Sequence, residues 1–190
     1  MVLGEMLVQV HRPEAFHVVM GAGGKTQQEV YLAQLLADHV PLYKRKGGGG
    51  TVLLGPQTLI ITVHAGVPNP FAHKPYFSAI NSAIIKVLRQ WSPLDYRERG
   101  ISDIAAGDKK ILGSSIYRRK QYLLYQASLI VYPELGLMDR YLKHPPREPD
   151  YRESRPHSDF VTSLQELGIH ISWDQMTQSF NNLLPGLIHL

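Results

Sequence analysis

The chain has 190 residues, of which 44% are hydrophobic and 19% are charged, as expected for one soluble globular domain that buries a full core. The net charge of +4 allows an anionic partner but does not distinguish a nucleotide, an acidic protein and a nucleic acid. Disulfides, thiolate metal sites and cysteine nucleophiles are excluded, because there is no cysteine. No apolar run approaches the roughly 20 residues of a membrane span, and no signal peptide is recognisable, so we expect a cytoplasmic protein.

The first 40 residues are predicted to form a hairpin and a helix. Two short apolar runs, residues 6–10 and 16–20, predict a β-hairpin at the start of the domain. Thr26 and Glu29 have the spacing of a capping box at the start of a helix, which Pro41 ends. The apolar face predicted for this helix consists of Val30, Ala33, Leu36, Ala37 and Val40.

Four consecutive glycines, residues 47–50, follow the cations Lys44, Arg45 and Lys46. Glycine admits positive φ and lets backbone N–H groups approach an anion or a carboxyl derivative. Arg45 can add a planar fork for phosphate or carboxylate. The segment is therefore either an anion-binding loop or a flexible connection between strands. An earlier glycine-rich segment, residues 21–26, lacks the spacing of a phosphate loop.

A second glycine- and lysine-containing segment follows about sixty residues later. The turn Gly107-Asp108 joins two predicted strands and places Lys109 and Lys110 at the start of the second strand. Because successive strand residues point to opposite faces, only one of these lysines can face inward.

The remaining predictions concern single elements. Strands are expected at residues 51–54, 59–63 and, once or twice, between 116 and 131; helices at 76–91 and from Ser172, capped by Gln175, to Pro185; and loops at 65–75 and 143–158.

Three motifs in this order resemble those of the lipoate-protein ligase superfamily, which includes biotin-protein ligases and octanoyltransferases. They are Arg45 with residues 48–52, residues 102–104, and residues 107–115. The resemblance extends from about residue 18 to residue 164. It implies a single catalytic domain over residues 1–190. The implied fold is α/β (α+β) and lipoate/biotin-ligase-like, with a mixed, mostly antiparallel sheet and packed helices.

The resemblance also implies a reaction. Lipoate or octanoate would be joined to ATP as an acyl-adenylate, with Mg²⁺ as cofactor, and then transferred to a lysine of a lipoyl carrier domain protein. Lys110 occupies the position of the family's lysine, and would be catalytic by stabilising charge between the acyl carbonyl and the phosphate. The residues implied to bind substrate or adenylate are Arg45, Gly48, Gly49, Gly50, Thr51, Val52, Asp103, Gly107, Gly113, Ser114, Gln126 and Ala127.

Other readings remain open for the same residues. Lys110 can be a solvated hairpin lysine, and Asp103 can cap a turn instead of holding the ribose, the amine or magnesium. The chain departs from the family pattern at three positions, Leu54, Leu112 and Gln126, where Leu54 and Gln126 replace histidines.

These features lead to three functional hypotheses. Octanoyltransferases of this superfamily use a cysteine that this chain lacks, so an ATP-dependent ligase is expected instead. Since many such ligases have a C-terminal accessory domain, a partner subunit is expected to supply it. A non-catalytic relative that binds an acyl ligand or a partner is the second hypothesis. Nucleic-acid binding through the basic residues near Lys110 and at residues 118–120 is the third, and no nucleic-acid module accompanies them.

Overall fold

Two β-sheets of unequal size form the centre of the structure, a computed structural model that describes residues 2–68 and 74–190. The strands are β1 (Met6–His11), β2 (His17–Met20), β3 (Leu42–Lys44), β4 (Val52–Leu54), β5 (Thr58–Gly66), β6 (Tyr96–Arg99), β7 (Asp103–Ala106), β8 (Lys109–Arg119) and β9 (Tyr122–Ile130). The α-helices are α1 (Thr26–Glu29), α2 (Leu32–Ala37), α3 (Lys74–Trp91), α4 (Leu135–Tyr141), α5 (His157–Phe160) and α6 (Trp173–Leu187).

The large sheet has the strand order β1-β5-β9-β8-β7-β6, and all of its neighbouring strands are antiparallel. The small sheet has the order β3-β2-β4, in which β2 runs parallel to β3 and antiparallel to β4. The mixed, mostly antiparallel sheet arrangement with packed helices that the family resemblance implies is confirmed.

One face of the large sheet packs against α3 and α6. Alternate residues of β9 are fully buried there, among them Leu123, Tyr125 and Leu129, and they meet the apolar stripe of α3 that contains Ile80 and Ile84. This alternation is the pattern of a strand with one face in the core. The opposite face lies toward the small sheet, where a second apolar cluster includes residues of β2, β4, α4 and α5.

Several predicted elements are confirmed. The strands β4 and β5, the long helix α3 and the Gly107-Asp108 turn between β7 and β8 lie where the sequence indicated. Ser172 and Gln175 form the expected reciprocal capping box of α6. This helix extends two residues beyond Pro185, since a proline in the last turn removes only one N–H donor. Of the predicted loop 65–75, residues 69–73 lie outside the described residues, while β5 extends to Gly66 and α3 begins at Lys74.

The predicted N-terminal hairpin is wrong. Strand β1 pairs with β5 in the large sheet, whereas β2 pairs with β3 and β4 in the small sheet. Short apolar runs identify strands but do not specify their partners, and here both runs find longer-range partners.

The predicted single helix from Thr26 to Pro41 is also wrong. The chain leaves helical geometry at Val30, whose extended backbone forms an antiparallel bridge with Leu142, and α1 and α2 are separate. Thr26 is not the N-cap, because Lys25 holds that position without a side-chain cap. Leu35 rather than Leu36 enters the core, so the tertiary bridge overrides the local helical period.

The opposite burial of the neighbouring residues Leu35 and Leu36 provides a matched test of stability. Leu35 is 1% exposed and Leu36 is 67% exposed. Leu35→Ala should lower the free energy of unfolding by about 2–5 kcal/mol, because it leaves a cavity. Leu36→Ala should change it by no more than about 0.5 kcal/mol. Urea unfolding of both variants checks this, and equal losses would contradict the placement of α2.

Candidate active site

The four-glycine segment forms a loop between β3 and β4, and the side chain of Arg45 holds it in place. The Arg45 guanidinium donates hydrogen bonds to the Gly48 carbonyl at 3.1 and 2.7 Å and to the Gly50 carbonyl at 2.8 Å. A further bond, from Nη1, reaches the Val19 carbonyl of β2 at 3.2 Å. Arg45 thus fastens the loop to the small sheet, while a role as a direct anion ligand stays a prediction.

Bare Cα atoms let this glycine loop lie close to both sheets. Gly49 has φ +92°, and a Cβ added at Gly21 would collide with the Gly49 carbonyl oxygen. A Cβ at Gly47 would lie 3.1 Å from the Ser115 hydroxyl on β8. Within the described residues, the backbone N–H groups of residues 48–50 donate no hydrogen bond to the backbone. They are therefore available to the oxygen atoms of a ligand.

A buried carboxylate lies beneath the same loop. Glu29 accepts hydrogen bonds from the Thr51 hydroxyl at 2.5 Å and from the Lys25 N–H at 3.2 Å. Burial lowers the pKa of Arg45, and the negative charge of Glu29 opposes that shift. The two opposite charges therefore offset part of each other's desolvation. Sequence reasoning missed Glu29 as a site residue, because its only local signal was the spacing with Thr26.

Lys110 and Asp103 face each other across β8 and β7. Lys110 Nζ lies 2.8 Å from Asp103 Oδ1, and the two side chains are 23% and 9% exposed. Lys109 is exposed, so Lys110 is the inward-facing lysine of the pair. A Cβ added at Gly113 would lie 2.8 Å from Lys110 Nζ. Glycine at position 113 thus leaves the space that the ammonium group occupies.

The segment between α4 and α5 covers this ion pair. Tyr151 donates a hydrogen bond to Asp103 Oδ2 at 3.0 Å, so both carboxylate oxygens of Asp103 are engaged. Arg155 binds the carboxylate and the carbonyl of Asp108 at 3.1 and 3.0 Å. Burial raises the pKa of Tyr151, and the charge of Asp103 raises it further, so the phenol stays a hydrogen-bond donor.

Side chains alternate between the two faces of a strand, so the other predicted site residues on β8 and β9 lie on two different faces of the large sheet. Gly113 and Gln126 lie on the same side of the large sheet as Lys110, which we call the groove face. Ser114 and Ala127 lie on the opposite side. Ser114 donates to a main-chain carbonyl at 2.7 Å, and Ala127 is 3% exposed in the main core. The structure therefore does not bring these two side chains to Lys110.

Four further positions that the sequence singled out lie in a turn, in strand pairs or in the core. Gly107, with φ +62°, forms the exposed turn between β7 and β8. Val52 pairs with Val19 in the small sheet, next to the glycine loop. Leu112 is fully buried on the core side of β8, and Leu54 pairs with His17 at the end of β4. Neither leucine side chain can form the hydrogen bonds of the polar residue that the family pattern has at that position.

Two kinds of feature are absent from the part of the chain that the structure describes. Among residues 2–68 and 74–190, no helix has the length and apolar content needed to cross a bilayer. In the same part of the chain, no three histidine, aspartate or glutamate side chains are grouped so that they could hold a metal ion.

His157 in α5 makes the stability of the segment that covers Lys110 depend on pH. Burial and the nearby charge of Arg152 lower its pKa to about 4, although Asp139 lies 3.3 Å away and favours the charged form. His144 also lowers the pKa. Since the unfolded chain binds this proton near pH 6.5, acid favours unfolding.

The free energy of unfolding should therefore fall between about pH 6.5 and 4, by at most about 3 kcal/mol from this residue. His157→Gln should flatten that part of the profile in urea unfolding. The exposed His170 provides the control, as His170→Gln should leave the profile unchanged. The same slope in His157→Gln and the parent protein would contradict the assignment.

A small sheet and a glycine loop lie over one face of a large antiparallel sheet, with an inward-facing lysine beside them, and this α+β fold is the one seen in solved lipoate-protein ligases. The sequence matches the family model of the lipoyl protein ligase A/B catalytic domain over residues 6–184. The chain belongs to this family.

Individual proteins agree with this assignment. The chain is 24% identical over 180 residues to lipoate-protein ligase A subunit 1 of Thermoplasma acidophilum, covering 88% of this chain and 68% of that protein. It is 25% identical over 114 residues to a candidate lipoate-protein ligase A of Aeropyrum pernix, covering 60% of this chain. The aligned part is only 42% of the length of that relative.

Solved structures show the same fold. A structure from the lipoylation system of Thermoplasma acidophilum, described as a bi-partite lipoate protein ligase and its E2 lipoyl domain, superposes with a TM-score of 0.82 at 23% identity. The superposition covers 97% of this chain and 74% of that one. A lipoate-protein ligase A bound with ATP gives a TM-score of 0.79 at 22% identity, covering 95% and 73% of the two chains.

Proposed function

We propose that this protein is a lipoate- or octanoate-protein ligase that forms an acyl-adenylate from ATP and transfers the acyl group to a lysine of a lipoyl carrier domain. Family membership supports the reaction class. The observation that carries the proposal is the Lys110 ammonium, which is held by Asp103 over the bare Cα of Gly113 on the groove face.

The proposed chemistry has two steps. A carboxylate oxygen of the acyl acid attacks the α-phosphate of ATP, and pyrophosphate leaves. The carrier amine then attacks the acyl carbonyl, and AMP leaves while the amine loses a proton. In both steps, negative charge develops on oxygen atoms at the acyl carbonyl and the α-phosphate. A fixed cation and free backbone N–H groups stabilise such charge in a water-poor site.

Each group of the site has a part in this proposal. Lys110 would contact the acyl carbonyl and phosphate oxygens, and the N–H groups of residues 48–50 would bind the same anionic region. Arg45 and Glu29 would hold the glycine loop in position from below. Asp103 would orient Lys110, since its two oxygens are taken by Lys110 and Tyr151.

Magnesium would enter with the nucleotide in this scheme. The described part of the chain offers no group of three acidic or histidine ligands. A Mg²⁺ ion bound mainly by phosphate oxygens and water needs no such cage. The residues present therefore fit a nucleotide-borne ion, whose chemistry would be charge neutralisation at the phosphates.

An accessory subunit belongs to the same proposal. The curated relatives extend beyond the aligned region, and the structurally similar Thermoplasma ligase is described as bi-partite. We propose that a second polypeptide takes part in the first step, and that the cytoplasm is the site of action.

The non-catalytic alternative rests on Gln126. An amide cannot carry a proton as the family's histidine can. A protein with this site could bind an acyl ligand without turning it over, and the assays below separate the two functions.

Nucleic-acid binding has less support. Lys109 and Arg119 stand at opposite ends of β8, about 30 Å apart at the rise of a β-strand. Lys110, between them, is engaged by Asp103. A continuous basic stripe is therefore not formed along this strand.

Neighbouring lysines provide a matched test of catalysis. The protein is incubated with ATP, Mg²⁺, lipoate or octanoate and an unmodified E2 lipoyl domain, and the mass of the domain is measured. Lys110→Ala should slow acylation about 10²–10³-fold, because it removes charge stabilisation in the transition state. Lys109→Ala should retain the parent rate. Equal rates in the two variants would contradict the assigned role of Lys110.

Preformed lipoyl-adenylate separates the two steps. We expect the protein to acylate the lipoyl domain from this adenylate even where ATP and lipoate alone give no product, because transfer needs only the groove and Lys110. Transfer from the adenylate alone would indicate that activation requires the accessory subunit. Binding of the adenylate without transfer would instead favour the non-catalytic function.

A further inference from the structure

The two edge strands of the large sheet, β1 and β6, differ in character. Strand β6 has the sequence Tyr-Arg-Glu-Arg, and charged side chains of this kind prevent a free edge from pairing with another strand. Strand β1 has no formal charge from Met6 to Val10, and its Leu7 side chain is 49% exposed. The β6 edge is therefore protected against a further strand, whereas the β1 edge can accept one.

Backbone groups along the outer side of β1 are free to pair. The Gly66 N–H donates to the Glu5 carbonyl, so Glu5 and every second residue after it direct their backbone groups toward β5. The N–H and C=O groups of Met6, Val8 and Val10 therefore point outward. Within the part of the chain that the structure describes, β5 is the only strand that pairs with β1, and none of these outward groups has a backbone partner.

The sequence of β1 is complementary to itself when two copies run antiparallel about a twofold axis through Val8. Val8 then faces Val8 of the second copy, and Met6 faces Val10 in both directions, so every outward N–H and C=O group of the three residues forms a hydrogen bond. In the same register Glu5 faces His11 twice, on the groove face of the sheet. A carboxylate opposite an imidazole stabilises such a cross-strand pair.

This register uses the strand better than its neighbours do. Side chains stay on their own faces of the sheet if the axis moves to Leu7 or to Gln9. However, one of the three outward-facing residues then pairs with a residue outside β1, and Glu5 no longer faces His11. The register centred on Val8 is therefore the one that satisfies both the backbone and the charges.

We propose that this protein associates with a second copy of itself through antiparallel pairing of the two β1 strands, which joins two six-stranded sheets into one. A second copy fits better than an unrelated strand, because the match of Glu5 with His11 arises from β1 alone. The contact is isologous, and it closes as a dimer because the other edge, β6, is charged.

The size of the contact sets its strength. An edge of six residues buries less than the roughly 800 Å² per partner of a standard interface. We therefore expect a weak dimer, with a dissociation constant of about 10–100 µM.

Charge exchange between Glu5 and His11 tests the register. Sedimentation equilibrium of the full chain should fit a monomer–dimer equilibrium. Glu5→Lys and His11→Glu should each weaken the dimer about tenfold, because each removes the attraction in both Glu5–His11 pairs. The double variant Glu5→Lys/His11→Glu should return to within about threefold of the parent dissociation constant. A parent protein that stays monomeric, or single losses that the double variant does not recover, would overturn the proposal.

Leu7→Lys and Leu36→Lys provide a matched pair of charge insertions. Both leucines are exposed, at 49% and 67%, but Leu7 lies on β1 and Leu36 lies on α2. Leu7→Lys should weaken the dimer about tenfold, since a lysine on a free edge hinders strand pairing. Leu36→Lys should leave the dissociation constant unchanged. Equal losses in the two variants would indicate non-specific apolar association and overturn the proposal.

Hydrogen exchange of single amides, followed by NMR, examines the edge directly. The amides of Met6, Val8 and Val10 should exchange more slowly as the protein concentration rises through the dissociation constant. Those of Leu7 and Gln9, which bond to β5 in the monomer, should change much less. A dimer in sedimentation without slowed exchange at the three outward amides would place the contact elsewhere and overturn the proposal. None of these measurements involves a substrate, so their outcome is independent of the ligase function.

Discussion

The contact of the Lys110 ammonium with the Asp103 carboxylate, above the bare Cα of Gly113, is the interaction on which the site depends. A cation in this half-buried position needs a fixed counter-charge, and the carboxylate in turn needs a second hydrogen bond, which Tyr151 donates. The ion pair therefore ties two strands of the large sheet to the segment that covers them. Because a buried pair is costly unless its geometry is complete, this arrangement favours one orientation of the lysine.

On the small sheet, a pair of opposite charges likewise holds the glycine loop in place. Arg45 donates to carbonyl groups on the loop and on β2, and Glu29 beneath it carries the opposite charge. The carbonyl oxygens of the loop are turned toward Arg45, which leaves N–H groups for a ligand. Arg45 and Glu29 thereby shape the loop surface that would contact a substrate, without needing to contact the substrate themselves.

The groove face of the large sheet carries the first of these charged centres. Its residues come from β5, β8 and β9, strands that are distant in sequence and adjacent in space. The alternation of strand side chains selects which residues reach it. Ser114 and Ala127, which belong to the same motifs as Gly113 and Gln126, lie on the face of the sheet that packs against the helices, whereas Ser115 and Thr62, outside the set of predicted residues, lie on the opposite face.

The sequence by itself determined the types of most elements, the turn between β7 and β8, the fact that only one of Lys109 and Lys110 can face inward, and the family, because these depend on local periodicity and on motifs of contiguous residues. Tertiary structure decided the partners of β1 and β2, the break at Val30, and the roles of Glu29 and Tyr151. Each of these depends on contacts between segments far apart in the chain, such as the Val30–Leu142 bridge and the Tyr151–Asp103 hydrogen bond. Local sequence carries propensity and period, whereas the free energy of such long-range contacts is set only when the sheets are assembled.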